Sequence, residues 1–154
     1  MKRSAGILPY KLREGQVFVY LEHPGGPYFR GINKWSICKG EYAEESAIEA
    51  ALREFKEETG FVVKKDDLFF IGSIKLNATN KLVTIFGLET DFDASKMTSN
   101  TFLLEWPKGN GKVKEFPEMD KGAWIEINDA RKIIFKGQEK ILDKLLDIID
   151  GVRK

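Results

Sequence analysis

Arg53-Glu54-Phe55-Lys56-Glu57-Glu58-Thr59-Gly60 ends the stretch whose periodicity decides how the rest of the chain is read. From about residue 44 to 59 the pattern is helical. Ile48, Leu52, Phe55 and Thr59 recur at i, i+4, i+7 and i+11, alanines at 47, 50 and 51 lie beside that stripe, and Gly60 is a natural terminator. Glu54, Glu57 and Glu58 stand at i, i+3 and i+4, so three carboxylates share one narrow arc at the edge of the apolar face. Like charges one turn apart cost about 0.2–0.5 kcal/mol, and acids in a last turn oppose the helix dipole by about 0.3–1 kcal/mol. Local conflict of this kind is expected where a bound cation offsets the repulsion, and clustered hard oxygens suit Mg²⁺ or Mn²⁺. For the three acids alone, a solvated charged face is the competing reading.

The wider stretch Gly40 to Phe61 resembles the Nudix box: a Gly, a Glu, seven residues, then Arg-Glu-apolar-x-Glu-Glu-x-Gly-apolar. Glu45, Arg53, Glu54, Phe55, Glu57, Glu58, Gly60 and Phe61 match in register, whereas Gly40 and Glu45 are separated by four residues instead of the family's five. Trp35-Ser36-Ile37-Cys38-Lys39-Gly40 is similar to the family's lead-in, with Cys38 where a proline is usual. Cys38 reads as buried packing.

The resemblance implies an α+β fold, a mixed β-sheet flanked by helices in an α/β/α sandwich. It also implies hydrolysis of a small nucleoside diphosphate derivative by water attack at phosphorus, with Mg²⁺, or Mn²⁺, as cofactor. Glu54 and Glu58 become the first choices for direct metal ligands, with the Gly40 carbonyl beside them. Glu57 serves a second ion or acts on the water, and Arg53 orients a carboxylate without ligating. Family members often draw a further carboxylate from the loop before the last strand. Glu118 is that candidate, with Glu115 and Asp120 in reserve. Family branches acting on dinucleoside polyphosphates, oxidised nucleotides and nucleotide sugars share this box. The alternatives are a catalytically silent nucleotide-binding regulator, which typically loses box glutamates, and an acidic interaction module.

Outward from the box, residues 5–10 and 17–22 read as a hairpin around Arg13-Glu14-Gly15-Gln16, and irregular chain is expected from His23 to Asn33. A brief extended segment, Trp35-Ser36-Ile37, precedes the box. Residues 68–76 and 81–90 predict a second hairpin across Asn77-Ala78-Thr79-Asn80. Residues 101–106 predict a short strand, 107–121 a flexible loop and 122–127 a last strand. A short helix over 130–135 and an amphipathic helix over 138–149 close the chain. Candidate substrate contacts are His23, Arg30 and Lys39, together with aromatic rings able to stack on a base, Tyr28, Phe29, Trp35 and Trp106. His23 also reads as a turn-stabilising residue, and the lysine and arginine as plain solvated charges.

The 154 residues suit one domain, 1–154, with ordinary globular proportions: 42% hydrophobic and 32% charged. Twenty-five basic and 24 acidic residues leave a net charge of +1, so no basic field favours polymeric nucleic acid, and small phosphorylated ligands are the expected partners. A single cysteine cannot form an intramolecular disulfide, which agrees with the cytoplasm. No signal sequence or membrane-spanning run is expected, since Gly6-Ile7-Leu8 is cut short by Pro9. Monomer and homodimer are equally compatible with this composition.

Overall fold

In the computed structural model, which describes residues 1–153, a six-stranded mixed sheet is built around its first strand, β1 (Lys2–Arg13). One edge of β1 runs parallel to β5 (Lys81–Glu89), from Lys2 opposite Lys81 to Tyr10 opposite Glu89. Two antiparallel partners share the other edge. β3 (Cys38–Tyr42) pairs with Arg3 to Ile7, and β2 (Gln16–Pro24) pairs with Tyr10 to Arg13. β4 (Phe69–Leu76) lies outside β5, and β8 (Met119–Glu126) lies outside β2.

Strand alternation divides the core in two. On one face Ala5, Ile7, Cys38 and Leu88 meet Ala50, Ala51 and Phe55 of α1 (Ala47–Thr59). On the other Leu8, Val19, Leu21, Ile37, Val83 and Ile85 meet Ile141, Leu142 and Leu145 of α3 (Glu139–Arg153), with Ala130 of the short α2 (Ile127–Ile133). The result is the α/β/α sandwich expected from the box. No helix among the described residues is long and apolar enough to cross a membrane.

The box helix begins three residues later than its period suggests, because Ser46 takes an extended conformation and accepts the Glu49 N–H on its side chain. Its C-terminal end is as expected: Gly60 sits at φ 83°, and its N–H closes on the Lys56 carbonyl at 2.8 Å. A Cβ at Gly60 would also crowd the Thr98 hydroxyl. Gly60→Ala is therefore expected to cost about 1 kcal/mol or more of stability, measurable by urea denaturation.

Two expectations are corrected. Trp35-Ser36-Ile37 is not a strand: Ser36 bridges Glu22 and Trp35 bridges Ile134 as isolated pairs, and the strand itself starts at Cys38. Residues 107–121 are not one flexible loop. β7 (Val113–Pro117) pairs antiparallel with β6 (Thr101–Glu105) in a separate two-stranded sheet, and β8 already begins at Met119. The polar composition hid β7 because the strand is almost wholly exposed and needs no run of apolar residues.

Candidate active site

Arg53 organises the end of the box. Its Nε donates to both Glu45 oxygens at 2.9 and 3.0 Å, and its Nη2 reaches Glu45 at 2.7 Å. Nη1 donates to Glu54 at 2.9 Å and lies 3.3 Å from Glu57. The Arg53–Glu57 contact is the longest of the three, and the planar fork is spent mainly on Glu45, which ties the segment before the helix to its last turns. Arg53 accordingly holds the Glu45 carboxyl below the usual carboxylate range.

Glu54 is pushed the other way. Burial raises its pKa against the pull of Arg53, and the charges of Glu57 and Glu118 add to the rise. Gly40 stands directly against the Glu54 carboxyl, where a Cβ would overlap its Cδ and both oxygens. The shortened Gly40–Glu45 interval thus still brings the glycine backbone to the carboxylate. The fourth carboxylate candidate, Glu118, is exposed between β7 and β8. Its carbonyl accepts the Gly25 N–H at 2.8 Å, its own N–H donates to Asn100, and its charge is felt at Glu54. Glu115 is exposed on β7.

Glu58 faces inward. It is 4% exposed, and a carboxyl oxygen of Glu58, one of Glu22 and the Cys38 sulfur all lie within 4.8 Å of one another. The Glu22–Ser36 bridge explains the meeting, since it sets Glu22 two residues from Cys38 on the same face of the chain. Tyr20 donates to Glu22 Oε2 at 2.8 Å, whereas Glu22 Oε1 and Glu58 Oε2 are buried without a partner. Burial raises the pKa of both carboxyls, more strongly at Glu58, where the Glu22 charge adds to it. Burial, then the two carboxylates, push the Cys38 thiol up as well. Glu22 was not anticipated, although an acid in a strand flanked by Tyr20 and Leu21 is the signal that would have found it.

His23 is buried with both ring nitrogens engaged: Nε2 donates to the Ile32 carbonyl at 2.6 Å, and Nδ1 shares a hydrogen with Asp120 at 2.9 Å. It pins the loop after β2. Trp35 is buried too, donating to Asn33 and packed edge-on against His23 with Lys121 over its ring. Arg30 is exposed on the rim of a cavity of about 370 Å³ that also includes His23, Asn33, Asp120 and Lys121.

Lys39 projects from the opposite face of β3 to Cys38. It lines a cavity of about 680 Å³ together with Lys75, Lys81, Lys136 and Lys140, closed partly by Ser36 and Gln138. Burial, then the Lys81 charge, lower its pKa. Gln138 fixes this corner, accepting from the Ile37 N–H and donating to Ser36 Oγ. Of the five lysines, the sequence singles out only Lys39 as a candidate substrate contact. Four of the five lysines come from segments distant in sequence from the box, which no local pattern links.

Comparison with protein families matches the NUDIX domain to residues 1–145. The chain belongs to the Nudix family. Membership makes it a hydrolase of pyrophosphate bonds, and the box residues above carry the family motif. Among solved structures, the Nudix fold of this chain is similar to a Caenorhabditis elegans Ap4A hydrolase in a binary complex, with TM-score 0.65 and 21% identity over 98% of this chain and 99% of that one. It is also similar to the NUDIX domain of Shewanella oneidensis NrtR complexed with ADP ribose (0.65, 11%, 96% and 87%). A mutT/nudix family protein from Listeria innocua is a further match (0.62, 16%, 97% and 94%). No curated protein matched the chain by sequence.

Proposed function

We propose that this Nudix chain, acting as one domain, is a Mg²⁺-dependent pyrophosphohydrolase whose substrate is a nucleoside diphosphate derivative rich in phosphate, a dinucleoside polyphosphate foremost. One juxtaposition carries the reading. Gly40 abuts the Glu54 carboxyl, and its chain neighbour Lys39 lines a cavity with four further lysines. A carboxylate set for a hard cation and a basic seat for phosphates therefore lie on the two faces of one short strand, β3, close enough for the Glu58 charge to be felt at Lys39. The likeness to an Ap4A hydrolase over nearly the whole of both chains favours the same substrate class.

Glu54, Glu57 and Glu58, with the Gly40 carbonyl and Glu118, are the groups that would hold the ion, which when bound neutralises phosphoryl oxygens. The donor set is all oxygen, and the lack of a side chain at Gly40 lets its backbone come directly against the Glu54 carboxyl. Arg53 fixes the rotamers of Glu54 and Glu57. Glu57 is the least buried of the three and is the group assigned to the attacking water. The lysines orient the phosphate chain. His23 and Arg30 line the cavity of about 370 Å³, with Trp35 packed against His23, and Arg30 is the side chain exposed there to meet the distal end of the substrate. A lone buried cysteine fits a cytoplasmic enzyme.

Incubating the protein with a panel of nucleoside diphosphate derivatives and MgCl₂, and resolving products by ion-exchange chromatography, tests the reading. Cleavage of dinucleoside polyphosphates ahead of nucleotide sugars is the expected result, and nucleotide binding without cleavage would indicate a regulator. Lys81→Met and Lys140→Met are each expected to raise KM about tenfold with a smaller effect on kcat, as loss of one charge-assisted contact predicts. Unchanged KM in both would remove the lysine cavity from the substrate path.

A further inference from the structure

The inward side of the box helix holds a ligand set that a magnesium site does not require. Cys38 is completely buried, Glu22 is completely buried, and Glu58 is 4% exposed. One ligand atom from each lies within 4.8 Å of the others. Two of the carboxyl oxygens, Glu22 Oε1 and Glu58 Oε2, are buried with no hydrogen-bond partner. Such atoms are costly to leave unsatisfied, and a cation accepted by both would satisfy them together. The arrangement around them is built: Tyr20 fixes the other oxygen of Glu22 at 2.8 Å, and Gly122 leaves room for the Tyr20 ring where a Cβ would overlap its hydroxyl. An outer hydrogen bond that orients a carboxylate is what metal ligands ordinarily have.

We propose that Glu22, Cys38 and Glu58 form a second, deeper cation site for a thiophilic divalent ion of the Zn²⁺ class. The ligand chemistry decides the class. A thiolate is a poor ligand for Mg²⁺ and a good one for Zn²⁺, Co²⁺ or Cd²⁺, and two carboxylates with one thiolate leave the fourth tetrahedral position open. The Cys38 sulfur lies 4.0 Å from the Glu54 carbonyl, and this weak contact is what an ion would displace. Loading is a proton exchange with no redox change: the thiol proton, and any proton held by the two carboxyls, leave to solvent as the ion enters. The site shares Glu58 with the proposed magnesium set, so the two ions are linked through that residue.

The test is a CoCl₂ titration of the intact protein, followed to equilibrium by absorbance for sulfur-to-metal charge transfer. Cys38 is the only cysteine, so any such band reports that residue alone. The expected result is a band that saturates at one equivalent in the native state and is displaced by Zn²⁺ but not by comparable Mg²⁺. Glu22→Gln, close in shape to the original, should weaken Co²⁺ binding about 100-fold, as removal of a ligand does at least as strongly as removal of a supporting group. Absence of the band at saturating Co²⁺ in protein with native circular dichroism would overturn the proposal. So would a band that appears only in urea, or one whose affinity is unchanged in Glu22→Gln. The readout needs no turnover, so a protein that binds cobalt but cleaves nothing refutes the hydrolytic reading alone, and the converse result refutes this site alone.

Discussion

Glu54→Gln lowers kcat about 10³-fold at saturating Mg²⁺ and leaves the fold intact. The size follows from losing a group on which metal binding and alignment of the reacting phosphate both depend, within the range typical of a positioned acid or base. The preserved fold follows from what surrounds it. Glu54 is not needed to hold Arg53, whose closest contacts go to Glu45, and its carboxyl is half-buried against Gly40 at a raised pKa. An amide of the same shape fits that cradle without a charge to desolvate. Steady-state kinetics and a thermal melt measured on one preparation separate the two effects. A large loss of activity with an unchanged melting temperature is the expected pair, whereas equal loss of both would mark Glu54 as structural.

The second large effect is on stability in metal-free protein. Glu22 and Glu58 both have pKa values raised above the ordinary carboxylate value, with burial the first cause. A raised folded-state value means that the folded protein holds protons which the unfolded chain releases, so the stabilisation is complete below the unfolded pKa and is lost as pH climbs through the folded one. Each unit of displacement is worth about 1.4 kcal/mol, and for a chain of this size about 2–4 °C of Tm follows each kcal/mol. In EDTA the melting temperature should therefore fall between about pH 5 and about pH 9, by about 2–4 °C for each kcal/mol of this stabilisation lost. Glu58→Gln should flatten that slope, because its amide can donate to Glu22 with no proton to lose. A melting curve that keeps the wild-type slope in Glu58→Gln would show that the buried carboxyls do not titrate as their burial demands.

How far the sequence could be read differs from segment to segment, for physical reasons. The box helix was legible because period, cap and acid cluster coincide within about 16 residues, and its Gly60 stop is a backbone requirement that only glycine meets without strain. The paired strands 5–10 and 17–22, and 68–76 with 81–90, were legible from alternation and turn residues, although β1 extends to Lys2 because β3 and β5 both clasp its start. β7 was not legible, since an exposed strand in a two-stranded sheet buries too little to leave an apolar signature. The Arg53–Glu45 pairing was missed because Glu45 lies before the helix, where helical spacing says nothing of its direction. The Glu22–Cys38–Glu58 group and the lysine cavity each depend on strands and connections far apart in sequence, brought together only by the sheet.

The measurement that tests the central claim most directly is ³¹P NMR of a dinucleoside tetraphosphate incubated with the protein, first in EDTA and then with MgCl₂. The account predicts no change in EDTA and, on adding Mg²⁺, loss of the internal anhydride signals with growth of new terminal phosphate signals, abolished in Glu54→Gln. Hydrolysis that proceeds equally in EDTA, or that Glu54→Gln leaves untouched, would contradict it.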